Sequence, residues 1–176
     1  MIYKSYLILI SDYLFTLKKN IYFDVVFPFA LSLVLGIFLI FNFLNFDKNF
    51  IVNATTVLGI LAGFNMTAIT ILTSTNNETV QELKEKKTDI IIDGLEVSFF
   101  RKLYILISYS VLICLITIIV NTIGYLISWD KICEIKTLKI LKTIDLFLIL
   151  HIFFVNIRNI TSLYFLYFNE TNLKGK

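Results

Sequence analysis

LYILISYSVLICLITIIVNTIGYLIS, residues Leu103 to Ser128, runs for 26 positions without a charged side chain. A hydrocarbon layer about 30 Å thick is crossed by roughly 20 apolar residues of a helix that rises about 1.5 Å per residue. Strands of a membrane barrel alternate apolar and polar positions, and this stretch does not. It reads as a transmembrane helix. Its few small and polar residues are ordered: Ser110, Cys114, Thr117, Asn121, Gly124 and Ser128 follow at steps of four and three, which keeps them on one seam of a helix in a left-handed bundle. Small side chains let helices approach closely and Asn hydrogen-bonds across such a seam, so the stripe predicts interior packing. Its alternative reading is the lining of a pore or solvated cavity between subunits.

Three further blocks of this kind lie around it. They run from about Tyr22 to Phe43, with Pro28 in the opening turns, from about Phe50 to Ser74, and from about Lys142 to Phe168. The first two are joined by a tight turn at Asn45 to Lys48 and are expected to form an antiparallel hairpin. The last two are joined by the polar stretch Trp129 to Leu141. With 57% hydrophobic against 16% charged residues and a mean hydropathy of +0.81, the chain lies outside the soluble norm. The predicted fold is all-α, an integral membrane four-helix bundle over residues 21–176 with an N-terminal amphipathic interfacial helix over 1–20.

Orientation follows from the basic residues, which resist translocation. Ten fall on one side (Lys4, Lys18, Lys19, Lys84, Lys86, Lys87, Arg101, Lys102, Lys174, Lys176) and five on the other (Lys48, Lys131, Lys136, Lys139, Lys142). Both termini are therefore expected in the cytoplasm, in a multi-pass protein of the inner membrane. The N-terminal stretch has no small-residue cleavage site after its apolar core, so no removable signal peptide is expected. On a helical wheel Lys4, Ser11 and Lys18 align, with Ser5, Asp12 and Lys19 beside them, while Ile2, Tyr6, Leu9, Tyr13 and Leu17 share another face. That pattern fits a helix lying among lipid headgroups. A plain basic leader is the alternative.

The connection 75–102 is the largest piece outside the spans. Asn76 and Asn77 are placed to cap a helix from Glu78 to Lys87, stabilised by Glu82 and Lys86 four residues apart. A turn at Asp93-Gly94 and a re-entry helix from near Glu96 are expected to follow. About 28 residues cannot bury a core alone, so the region is read as a docking surface, with Glu78, Glu82, Lys86 and Lys87 facing a cytoplasmic protein, or as a plain connector.

In the second block Thr55, Gly59, Gly63 and Thr67 recur every four residues, predicting a close helix contact, either within the chain or with a second copy. The fourth block carries His151, Arg158 and Ser162 nearly in line, with Asn159 at the flank. Ionisable groups inside a membrane are costly unless paired, hydrated or able to snorkel, and are functional candidates for that reason. Arg158 is expected to snorkel or to find Asn65 or backbone carbonyls. With Asp24 and Asp145 read at span ends, no carboxylate is expected level with His151 for a proton relay, and a hydrogen-bonded neutral imidazole is expected instead.

Catalytic signatures are missing. There is no nucleophile elbow, phosphate-binding loop or paired carboxylates, and with a single His few routes to nucleophilic or metal-assisted chemistry remain. Cys114 lies inside a span and Cys133 in a loop, a spacing that suits neither a metal nor a disulfide. No enzyme activity, cofactor or metal is expected. The basic residues flank the spans and form no patch for nucleic acid.

The stretch Leu58-Gly59-Ile60-Leu61-Ala62-Gly63-Phe64-Asn65-Met66-Thr67-Ala68-Ile69-Thr70-Ile71-Leu72-Thr73-Ser74, followed by a charged hairpin and another span, resembles small four-span bacterial membrane proteins of anti-phage defence systems, such as the KwaA-like subunits of Kiwa. The likeness extends over about Val57 to Ser128 and is one of size, topology and this helix. It implies a homo-oligomer that senses envelope disturbance and signals to a soluble effector, with the lipid bilayer, itself and a cytoplasmic protein as partners. Two other functions fit the same residues: an ion channel or toxic pore, and an immunity protein against a membrane-active bacteriocin.

Overall fold

The computed structural model describes residues 2–18, 20–74, 78–127 and 134–173, with side chains placed at 5–18, 20–74, 78, 80–127 and 134–164. The expected cap at Asn76-Asn77, the stripe's last member Ser128, Trp129, Lys131, Cys133, Lys19 and the terminal lysines lie outside the described residues, as do the side chains of Ile2, Lys4 and Phe168. In chain order the elements are α1 (Ile2–Leu17), a π-helical turn (Tyr22–Val26) continuing into α2 (Phe27–Ile40), α3 (Lys48–Ser74), α4 (Glu78–Glu85), β1 (Lys87–Ile92), β2 (Leu95–Ser98), α5 (Phe99–Leu126) and α6 (Ile135–Leu173). Among the described residues four helices are long and apolar enough to cross a membrane: Tyr22–Ile40, Lys48–Ser74, Phe99–Leu126 and Ile135–Tyr164.

Local chemistry sets the ends of these helices. Asn42 takes a positive φ of 60° after α2, so the first helix stops at Ile40 and not near Phe43. The Asp47 Oδ1 then accepts the Phe50 N–H at 2.9 Å, an N-terminal cap that starts α3 at Lys48. Ser98 caps α5 in the same way, accepting from Arg101 N at 3.2 Å, and starts it four residues before Leu103. The fourth helix begins at Ile135 and not at Lys142, and it continues past Phe168 to Leu173.

The expected hairpin of the first two long helices is not the packing found. α3 lies along α5, α2 lies along α6, and α5 and α6 join the two pairs. Polar complementarity and close fit decide this. Asn65 of α3 bonds to α5 and α6, while Gly36 of α2 brings its backbone onto Thr143 of α6, whose Cγ2 lies 2.6 Å from where a Cβ would stand. Lys139 and Lys142 tie the α2–α3 turn to α6, donating to the Ile40 carbonyl (2.8 Å) and to the Phe46 carbonyl (2.7 Å). α5 is the central helix: half of its apolar window is buried, against 17% for α3.

The fold is all-α, as expected, with one short strand hairpin at one end of the bundle. The re-entry helix expected from near Glu96 is instead the second strand of a hairpin. Ile92 pairs with Leu95 in antiparallel register around Asp93 (φ 52°) and Gly94 (φ 76°), the two left-handed residues of the turn that matches strand twist. Ile90-Ile91-Ile92 favours a strand because β-branched side chains are stiff and suit a pleated surface. Helix α4 therefore ends at Glu85, short of the expected Lys87. An isolated two-stranded hairpin is marginal in water. Here α1 and α5 cover it: Tyr13, Leu17, Ile92, Val97, Leu106, Tyr109 and Val155 form one buried cluster. Tyr13 and Leu17 of the α1 face expected to lie in lipid thus pack on protein, while Tyr6 of that face stays exposed, as do Leu7, Leu14 and Phe15 beside it.

Candidate functional site

Beneath the docked α1 lies a fully buried polar cluster built from four elements. Asp24, on the π-helical turn, is completely enclosed. Its Oδ2 lies 2.6 Å from Nη1 of Arg158 on α6 and accepts the hydroxyl of Tyr13 on α1 at 3.1 Å. The Arg158 guanidinium sits 5.6 Å from the centre of the Tyr13 ring, and that ring stacks on Tyr109 of α5 at 3.5 Å with the planes 4° apart. A cation over an aromatic face adds attraction to the ion pair. Burial of the Tyr13 phenol, with the Asp24 carboxylate beside it, pushes its pKa well above the ordinary tyrosine range, so it serves as a neutral hydroxyl donor.

His151 is oriented by a consequence of proline chemistry. Pro28 has no N–H to offer the Asp24 carbonyl four residues earlier, and His151 Nδ1 lies 2.6 Å from that oxygen. A carbonyl only accepts, which assigns the proton to Nδ1 and leaves Nε2 to accept the Tyr109 hydroxyl at 2.9 Å. Phe147 stacks on the imidazole at 5.9 Å. Both ring nitrogens are thereby satisfied in the neutral form. Asp24 Oδ1, Arg158 Nε and Nη2 and the Asn159 amide are buried with no hydrogen-bond partner among the described residues.

A second network lies on the neighbouring seam. The Asn65 amide nitrogen donates to Ser110 Oγ (3.1 Å) and Asn156 Oδ1 (2.8 Å), and Asn156 Nδ2 donates to Ser110 Oγ (2.8 Å) and to the Ile152 carbonyl (2.8 Å). Three helices are thus joined by buried side chains that satisfy one another.

Arg158 therefore neither snorkels nor pairs with Asn65 or carbonyls, as the sequence suggested; its partner is Asp24. A carboxylate does accompany His151. It belongs to Asp24 on the π-helical turn, which packs against α6 at both His151 and Arg158. His151, Arg158 and Asn159 are all buried, Ser162 is half-buried, and none of the cluster's hydrogen bonds reaches Ser162. Tyr13 and Tyr109 carried no sequence signal beyond apolar periodicity, whereas Pro28 four residues after Asp24 was the available cue for an unfilled carbonyl.

Of the α5 stripe, Ser110, Cys114, Thr117 and Asn121 are buried inside the chain and Gly124 is half-buried. On α3, Leu58, Ala62 and Asn65 face inward, whereas a Cβ added to Gly59 or Gly63 would meet nothing within 4 Å. Thr67 is exposed and Thr55 half-buried, so the G-x-x-x-G face makes no close contact within the chain. Of the loop residues, Glu78, Lys86 and Lys87 are exposed and Glu82 is half-buried. The Lys84 and Lys86 ammonium groups lie over the Phe100 and Phe99 rings at 5.4 and 5.9 Å. Among the described residues no three His, Cys, Asp or Glu side chains gather to hold a metal ion.

No family model matches the chain, and no curated protein or solved structure matches it either.

Proposed function

We propose that this chain is a non-enzymatic membrane protein of the bacterial inner membrane, oligomeric, with both termini cytoplasmic. In this reading it senses the state of the envelope and presents its cytoplasmic face to a soluble effector, as in an anti-phage defence system. The observation that carries the proposal is the Tyr13–Asp24–Arg158 cluster. Its ion pair locks the first long helix to the last, and its aromatic stack locks both to α1 and so to the hairpin. Displacement of the long helices within a bilayer therefore moves the surface where an effector would dock. The charged loop around Glu78, Lys86 and Lys87 supports the docking role. Self-association is supported by the outward Gly59 and Gly63, because a backbone with no side-chain cover packs best against another helix.

The α5 stripe packs inside the chain, so a pore along it forms no part of this proposal. Light scattering in mild detergent tests the oligomer. The native protein is expected as a multimer and Gly59→Leu/Gly63→Leu as a folded monomer. A native protein that is monomeric, or a variant of unchanged mass, sinks the oligomeric reading.

A further inference from the structure

About 20 Å along α6 from Arg158, at 1.5 Å of rise per residue, a second carboxylate stands in different surroundings. Asp145 lines a cavity of about 250 Å³ with Asn121, Gly124, Phe46, Ile144, Leu148 and Lys142. The Asn121 amide, in the orientation that its neighbours' donors and acceptors require, donates to both carboxylate oxygens at 3.0 and 2.8 Å. Lys142 does not neutralise the acid. Its ammonium is held by the Phe46 carbonyl at 2.7 Å and lies 5.6 Å over the Phe46 ring. Among the described residues no cationic side chain forms an ion pair with Asp145. A second cavity of about 230 Å³ meets the first at Asn121 and Ile51 and is walled by Thr55, Thr56 and Thr122.

A half-buried anionic group on the wall of a half-open, mainly apolar cavity, with no counter-charge among the described residues, is costly unless something supplies one. The chamber has room for it, since an apolar cavity of about 150 Å³ already holds benzene. The geometry points to a binding site for a small amphiphilic cation, its ammonium on Asp145 and its apolar or aromatic body against Phe46, Ile144 and Leu148. Asn121 holds the carboxylate in place and the neighbouring threonine-walled cavity keeps the polar side hydrated.

Phenethylamine and phenethyl alcohol differ in charge at nearly equal size, and equilibrium dialysis against the full chain in phosphatidylcholine nanodiscs, corrected for empty discs, compares them. The ammonium is expected to bind the native protein roughly tenfold more tightly than the alcohol, the gain of a charge-assisted hydrogen bond. Asp145→Asn is expected to erase that preference, and Gly124→Leu, which fills the cavity and keeps the carboxylate, to abolish binding of both. If Asp145→Asn does not fold, Gly124→Leu decides. Equal binding of amine and alcohol, as a protonated Asp145 would give, overturns the proposal. So does binding of neither, a preference that survives Asp145→Asn, or undiminished binding by Gly124→Leu.

Discussion

Two aspartates on the same end of the molecule form ion pairs with arginines, and their surroundings give them opposite weight. Asp12 meets Arg101 at 3.2 Å with 45% of the arginine side chain exposed, whereas Asp24 and Arg158 keep 0% and 8% of theirs. An exposed pair competes with water and contributes little; a buried one, if halved, leaves a charge with nothing to answer it. Asp12→Ala is therefore expected to change stability by less than about 0.5 kcal/mol, and Asp24→Leu to lower it by about 3–5 kcal/mol. Asp24→Leu/Arg158→Met should recover most of that loss, because removing both charges restores neutrality. Reversible unfolding in detergent, run as a double-mutant cycle, measures all three, and a double variant as damaged as Asp24→Leu would refute the pairing. At this scale the sequence was only half legible: it marked Arg158 and His151 as needing partners, yet the partners, Asp24 and Tyr109, come from other elements, and which elements meet is set by packing between segments.

Among the helices, the closest approach was also the least visible. Gly59 and Gly63 attract attention by spacing, but Gly36 is the glycine whose missing side chain admits a neighbour, with Thr143 Cγ2 and Oγ1 standing 2.6 and 2.7 Å from its would-be Cβ. The one spacing cue for Gly36 is Ser32, four residues earlier on the same buried face, a shorter run than Thr55 to Thr67. The four long helices themselves were plain from hydropathy, since apolar length is a property of one segment, while the choice of neighbour is a property of two. Similarly, Asp93-Gly94 was legible as a turn, but whether strands or helices flank it depended on α1 arriving to cover them. Gly36→Ala is expected to cost about 1–3 kcal/mol by overpacking. Adding Thr143→Ala, which removes the colliding atoms, should cost less than the sum of the single changes. Thermal melting of the four proteins checks it, and strict additivity would show that α2 and α6 do not meet there.

Taken whole, the molecule is a bundle whose one end is organised by an ionic and aromatic cluster and whose other end is held by lysines on carbonyls at the end of α2 and in the connection after it. If the cluster transmits helix movement, a nitroxide on Leu95, in a chain with Cys114 and Cys133 replaced by alanine, should change mobility between short-chain and long-chain phosphatidylcholine bilayers. The same label on the Asp24→Leu/Arg158→Met background should show little change. A label that responds equally in both would mean that the hairpin is moved by another route, or directly by the lipid.

The buried pair also has a temporal side. Asp24 belongs to the first long helix and Arg158 to the last, and a ribosome makes the chain from its N-terminus. Until α6 is made the nascent protein carries an acid whose counterpart does not yet exist, and until α5 is made α1 has no Tyr109 on which to stack. The finished cluster therefore closes only when α6 has been translated and has taken its place, which makes arrival of the last helix the event that completes both ends of the chain at once.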